Sequence, residues 1–253
     1  MRTLYQFSIS HYCEKTRWQL DHKGLAYRVE HLFPGLHRLK TRRMAGTTSL
    51  PILRDGARVV ADSTDIALYL EATYPQAPLL PSAGPLRDEI LALEDRHDRL
   101  GVHVRRWLYG QIEDWASVTD AMLRVHRPAF GLRDRAKPML VKGLRTLYGV
   151  TPERVAKSEA ELLDGLEALE KRIHNDPSRY LVGDRLSLAD ISAAALYAPL
   201  LSPPDTPWAD IGGFSAPARE VLDRIRERPA GQWILQRYRH DRPHATEQDE
   251  ARA

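Results

Sequence analysis

Apolar positions recur with two different periods along the chain, and the change falls near residue 85. Before it, short segments alternate between strand and helix periodicity. Leu4, Phe7 and Ile9, with β-prone Tyr5, mark a first strand over residues 2–9. A charged amphipathic helix with apolar members Trp18 and Leu20 follows over 13–23, and Gly24 is placed to cap it. Tyr27, Val29 and His31 alternate with Arg28, Glu30 and Leu32 in a second strand over 25–32, ended by Pro34-Gly35. Residues 36–45 read as a short basic helix. Ser49 to Leu53 is an apolar strand with Pro51 near its start, and Asp55-Gly56 turns it back into Val59-Val60-Ala61. Asp62-Ser63 then precedes Ile66, Leu68, Tyr69 and Leu70, an N-cap ahead of an apolar helical face. The predicted order is β-α-β-α-β-β-α.

Residues 75–85 hold four prolines, a density that neither a helix nor a central strand tolerates. Beyond this stretch the pattern is helical throughout. Ile90, Leu93, Leu100, Val104 and Leu108 lie along one face of a long helix over 86–112. Weaker helices are expected over 115–125 and 134–148, with a break at Pro128–Gly131. Val155, Leu162, Leu166, Leu169 and Ile173 give the clearest stripe, stopped by Asn175-Asp176-Pro177. Ser187 and Asp190 form a capping pair ahead of an apolar helix over 191–200. One last helix is expected over 215–235 and a polar, aperiodic tail after it. The division that follows is a first domain over 1–76, a proline-rich linker over 77–86, an all-helical domain over 87–237 and a tail over 238–253. The fold class is α+β.

Composition narrows the function classes. The 253 residues suffice for a sizeable core, at 43% hydrophobic and 28% charged. A net charge of +3 spread over an arginine-rich chain does not argue for nucleic acid, and the basic run 36–43 lacks interleaved aromatics. One cysteine excludes an internal disulfide and a cysteine-cluster zinc site. No apolar run reaches membrane-spanning length and no signal-like start is seen, so a cytoplasmic protein with no membrane partner is expected. His97 and His103 are six apart, which is not ligand spacing on one helix face, and no metal is expected.

The chemistry-bearing stretch is Ser10-His11-Tyr12-Cys13, at a strand-to-helix junction. A helix N-terminus has unpaired N–H donors and a partial positive charge, which suit a thiolate. The tetrapeptide resembles the Cys-Pro-Tyr-Cys active site of glutaredoxins, with serine replacing the first cysteine. With Leu50-Pro51, Asp62-Ser63, the proline-rich segment and Gly183-Asp184…Ser187-Leu188-Ala189-Asp190 in order, residues 1 to about 235 resemble a cytosolic glutathione transferase of the serine type. The resemblance implies a thioredoxin-like first domain, a helical second domain, glutathione as co-substrate, a small hydrophobic electrophile and a homodimer.

By the same resemblance, Ser10 would activate the glutathione sulfur. Leu50 would pair with the cysteinyl backbone ahead of a cis Pro51. Ser63 would hold the γ-glutamyl carboxylate and Asp62 its ammonium. His37 or Lys40, His37 first, would meet the glycyl carboxylate. His11, Tyr12, His103 and Trp107 would line the electrophile pocket. Departures from the family pattern are His11 in place of proline and Ser49 in place of lysine. Three functions stay open at this level. They are glutathione transfer through Ser10, thiol-disulfide or peroxide reduction through Cys13, and a non-catalytic glutathione-binding or interaction module. Tyr5, a first-strand tyrosine of the kind other branches use, reads as core.

Overall fold

A computed structural model describes residues 1–123 and 132–243. The first domain is a four-stranded sheet in the order β2-β1-β3-β4. Strand β1 (Arg2–Gln6) runs parallel to β2 (Tyr27–His31) and antiparallel to β3 (Ile52–Asp55), which pairs with β4 (Arg58–Ala61). The parallel pair needs a crossover, and α1 (His11–His22) supplies it. The period-two alternation sorts side chains to two faces. Leu4 and Leu53 pack with Leu20 of α1 and with Ile66 and Leu70 of α3 (Ser63–Thr73). Tyr5 and Ile52 turn the other way, with Leu32 and Met44 of α2 (His37–Ala45), so Tyr5 is a core residue, 2% exposed. Gly56 takes the left-handed φ of 57° that the β3–β4 turn requires.

The second domain is helical, as its periodicity predicts. It comprises α4 (Pro85–Gln111), α5 (Ala116–Leu123), α6 (Leu132–Leu147), α7 (Pro152–Arg172), α8 (Leu188–Leu201), α9 (Ala216–Glu227) and α10 (Pro229–His240). Every residue of α8 is buried, which is why its sequence is apolar all round. Asp190 starts it, accepting from Leu181 N–H at 2.7 Å, Ser187 N–H at 2.8 Å and the Ser187 hydroxyl at 2.6 Å. Burial outweighs these bonds and pushes its carboxyl up to about 6. The pair is structural, as expected, and does not line the cavity described below.

Three expectations are corrected. Helix α1 begins at His11, earlier than apolar periodicity placed it, because Ser10 is the N-cap. The single last helix is two: Arg228 is extended and Pro229, unable to donate, opens a new one. Helix α10 continues to His240, so the polar tail does not start at 238. Tyr238 is 7% exposed against Trp18, and Arg242 is tied to α1. The expected break at Pro128–Gly131 and the tail beyond residue 243 lie outside the described residues. The proline-rich segment is anchored, not slack: Leu79 and Leu80 are buried, Glu71 accepts both their N–H groups, and Leu79 C=O accepts from Leu188 N–H at 2.9 Å.

The domains meet across α1. Trp18 lies in the large core with α8, and fully buried Lys15 bridges to Glu94 and, at 2.9 Å, to Asp98 of α4. Trp208 Nε1 donates to Ile9 C=O at 3.0 Å. These contacts fix the β1–α1 junction against the helical domain.

Candidate functional site

Ser10 sits at that junction with φ −82° and ψ 120°, and its hydroxyl accepts the Cys13 N–H at 3.4 Å. An oxygen that accepts one such bond keeps its own proton for donation. Ser10 is partly exposed and lines a cavity of about 1210 Å³ between the two domains. Cys13, one turn on, is 0% exposed and does not line it. Burial pushes its thiol up, against the smaller opposing effects of the Ser10 hydrogen bond and Arg17. A thiol that is buried and held protonated is a poor nucleophile.

Leu50 lies in the cavity wall ahead of a cis peptide to Pro51. Its backbone N–H and C=O have no partner among the described residues. Pro51, Asp62 and Ser63 adjoin the wall without forming it: Asp62 N–H donates to Pro51 C=O at 3.3 Å. Asp62 is the N-cap of α3, its Oδ1 accepting from Thr64 N–H at 2.8 Å and Asp65 N–H at 3.4 Å. It holds φ 79° and ψ 136°, a conformation that L-residues rarely adopt. Such strain persists only where the surroundings impose it, and it concentrates at ligand sites. Ser63, at N1, is 2% exposed, and the first-turn donors of α3 adjoin the exposed Asp62.

The structure does not favour either cation named for the glycyl end. His37 lines the cavity, but its Nδ1 accepts from Gly35 N–H at 3.1 Å and its Nε2 donates to Thr48 C=O at 3.1 Å. That pattern is a neutral imidazole, and burial lowers its pKa further. Lys40 pairs with Glu30 and stands 4.9 Å over the Tyr5 ring. Arg38, between them, is exposed, lines the cavity beside Thr48, Ser49 and Leu50, and has no acidic partner among the described residues. The basic run itself was visible in the sequence; the cation that faces the cavity was not.

Of the four residues named for the electrophile pocket, only His11 lines the cavity. Tyr12 is turned toward α4, its hydroxyl donating to Asp98 C=O at 2.7 Å. His103 faces α7, 3.2 Å from the Ser158 hydroxyl, and Trp107, 1% exposed, belongs to the core. The cavity is lined instead by Val102, Arg105 and Tyr109, at helical spacing on the adjacent face of α4, by Ile112 just past its end with Phe214 bridged to it, and by Trp208. No cluster of three or more His, Cys, Asp or Glu residues able to hold a metal occurs among the described residues. Nor is any helix among them long and apolar enough to cross a membrane.

Comparison with known proteins agrees with this architecture. A family model for the glutathione S-transferase N-terminal domain matches residues 4–78, and one for the C-terminal domain matches residues 152–227. The chain belongs to the glutathione transferase superfamily. It is 26% identical over 195 residues to glutathione S-transferase 1 of Dianthus caryophyllus, covering 76% of this chain and 73% of that one. It is also 26% identical over 194 residues to a probable maleylacetoacetate isomerase of Vibrio cholerae, covering 74% and 76%. A glutathione S-transferase of Methylobacillus flagellatus, solved with glutathione bound, shares the fold at a TM-score of 0.59 and 16% identity, covering 100% of this chain and 99% of that one. Within the superfamily fold, the four-stranded sheet and the helical domain are thus assigned, and the relatives' names span more than one reaction.

Proposed function

We propose that this member of the glutathione transferase superfamily binds glutathione along Leu50 and Asp62-Ser63, ionises its thiol at Ser10, and transfers the sulfur to an electrophile in the interdomain cavity. The observation that carries the reading is Ser10, an N-cap whose hydroxyl borders the cavity while the one cysteine is buried behind it. A free thiol has a pKa of about 8.5 and is mostly protonated at neutral pH. A hydrogen bond from the Ser10 hydroxyl and the donors at the start of α1 favour the thiolate over the thiol. The proton goes to water. The sulfur lone pair forms the new C–S bond, and the leaving group departs with its bonding pair.

Around the sulfur, Leu50 offers an N–H and C=O that are unpaired among the described residues, the two groups an added strand would use. The strained Asp62 and the start of α3 offer acceptor and donors for the γ-glutamyl end. At the glycyl end the reading takes Arg38 in place of His37 and Lys40, since Arg38 alone of the three combines a full charge, a cavity position and no acidic partner among the described residues.

The deciding measurement is the thiolate absorbance of bound glutathione against pH. In Ser10→Ala the midpoint should rise toward the free value, and turnover near neutral pH should fall about ten-fold, since one pKa unit corresponds to about 1.4 kcal/mol. Superimposable titrations of wild type and variant reject the serine mechanism. Retained glutathione binding with no turnover of any electrophile would instead place the chain among non-catalytic binders.

A further inference from the structure

The interdomain cavity is apolar in most of its wall, yet its charged side chains are all of one sign. Arg38, Arg105, Arg106 and Arg135 line it, and among the described residues no Asp, Glu or Lys does. The four arginines are not equivalent. Arg106 is used structurally: its Nε donates to Tyr148 C=O at 2.9 Å and a terminal nitrogen donates to the Ser158 hydroxyl at 3.2 Å. Arg38 borders Leu50, at the glutathione end, and Arg135 is exposed. Arg105 is different. It is half-buried, its guanidinium lies 4.0 Å over the Tyr148 ring and 5.5 Å from the Tyr12 ring, and its Nε is buried without a hydrogen-bond partner among the described residues.

A second buried polar atom lies in the same wall. His11 is 3% exposed, and its Nε2 has no hydrogen-bond partner among the described residues. Its ring meets Tyr12 edge-on at 4.7 Å, and the Arg105 guanidinium lies 5.5 Å from that same Tyr12 ring. Polar groups removed from water without partners cost free energy, and a guanidinium without a counterion costs more. A ligand removes that cost when it supplies what is missing. Arginine's planar fork matches a carboxylate in two parallel bonds. The surrounding wall of Val102, Tyr109, Ile112, Trp208 and Phe214 suits an apolar or aromatic body.

We propose that the electrophile is an acid: a carboxylate on an aromatic or apolar body, the carboxylate held by Arg105 with His11 beside it and the reactive carbon directed toward Ser10. The proposal rests on the transfer reading for its reaction, but the acid site itself is testable without it. Burial, and then the field of Arg105, already hold the His11 imidazole neutral. It therefore supplies Nε2 as a hydrogen-bonding atom and Arg105 supplies the charge.

The test uses a matched pair, a chlorodinitrobenzoate with chlorine flanked by both nitro groups and para to the carboxylate, and its primary amide. With glutathione, the sulfur bonds to the ring carbon that carries chlorine, chloride leaves with the bonding pair, and the thiol proton passes to buffer. Each kcat/KM is divided by the uncatalysed rate constant. The acid should exceed the amide by about ten-fold or more, equivalent to about 1.4 kcal/mol. In Arg105→Gln the ratio should fall to within about two-fold of unity, with Arg105→Lys intermediate because it keeps charge and loses the fork. Equal ratios in wild type and Arg105→Gln overturn the assignment.

Because Arg105 stacks on two tyrosines, a second measurement needs no variant and no glutathione. Binding of dinitrobenzoate and dinitrobenzamide to the wild-type protein is read by quenching of tryptophan fluorescence, with Trp208 in the wall. Tighter binding of the acid by about ten-fold supports the site, and equal affinities overturn it. If neither chloro compound turns over while acid-selective binding persists, the transfer reading fails and the acid site stands.

Discussion

Arg242 lies just beyond α10, where polarity alone suggests a free tail, and its removal should be a costly substitution. Its Nε donates to Glu14 Oε1 at 2.8 Å and a terminal nitrogen donates to Asp21 Oδ2 at 2.7 Å, so one side chain clamps the C-terminal segment onto α1. Glu14 also takes Arg17, at 2.6 Å. The Glu14 side chain is 5% exposed and that of Arg242 is 17% exposed. Burial alone would raise the Glu14 carboxyl. Arg242 first and Arg17 second reverse this and hold it at about 2, against an ordinary 4.5. The ionised, paired form of Glu14 is therefore the favoured one. Asp21 gives the opposite sign, since burial pushes its carboxyl up in spite of Arg242. Arg242 and Arg17 clamp Glu14 from both sides, whereas Asp21 takes Arg242 alone of the two. Arg242→Met keeps most of the apolar stem and leaves Glu14 with one partner, at a cost of about 2–4 kcal/mol.

The assay is thermal unfolding followed by tryptophan fluorescence, since Trp18 lies 5.8 Å from the Arg242 guanidinium. A loss of that size lowers the melting temperature by about 5–15 °C for a chain of this length. Glu14→Gln and the double variant close a thermodynamic cycle, in which the coupling between the two sites should exceed about 1 kcal/mol. The sign with pH is fixed. A carboxyl depressed in the folded state contributes stability above its unfolded pKa, near 4.5, and loses it as pH falls toward about 2. The penalty of Arg242→Met should therefore be full at pH values above 4.5 and shrink below. Additive effects of Arg242→Met and Glu14→Gln, or a melting temperature within about 2 °C of wild type, would refute the clamp.

Cys13, fully buried with its thiol pushed up, should react with a disulfide reagent only as fast as the protein opens, and Cys13→Ala should retain glutathione transfer. Stoichiometric labelling of the native protein within seconds would restore the cysteine reading. Arg38→Gln should weaken glutathione binding by about ten-fold in calorimetry, as expected for one charge-assisted contact of about 1.5 kcal/mol. Unchanged affinity would assign the glycyl carboxylate to another group.

The fold was legible where local signals agreed with tertiary demand. The alternation of Leu4, Tyr5 and Ile52, Leu53 gave both faces of the sheet, and Ser187 with Asp190 gave the start of α8. What escaped was set by contacts distant in sequence. Helix α10 carries a broken apolar pattern, and its end is held by Tyr238 on Trp18 and by Arg242 on Glu14, pairings more than 200 residues apart that no local window contains. The proline-rich segment was readable as non-helical and non-strand. Its anchoring was not, because Leu79 and Leu80 look like ordinary linker leucines until Glu71 and Leu188 are brought beside them.

The site divides along the same line. The backbone features proposed to hold glutathione, the Ser10 cap, the extended chain ahead of Pro51 and the Asp62 N-cap, were legible because each is a local backbone event. The cavity wall of α4 was not. Residues 102, 105 and 109 share one face at helical spacing, and 103 and 107 share the next. The sequence holds both faces equally, one with an arginine and a tyrosine, the other with a histidine and a tryptophan. Which one meets the first domain depends on the rotation of α4, and that is fixed from below, by Lys15 reaching Glu94 and Asp98 and by Tyr12 reaching the Asp98 carbonyl. Glu94, Asp98, Arg105 and Tyr109 sit at intervals of four and seven, so the anchor that orients the helix and the residues it delivers to the cavity lie along one side of it. A charge anchored midway along α4 therefore selects the side chains that line the cavity nearer its C-terminal end, and a change at Lys15 or Glu94 should alter that lining without itself touching the cavity.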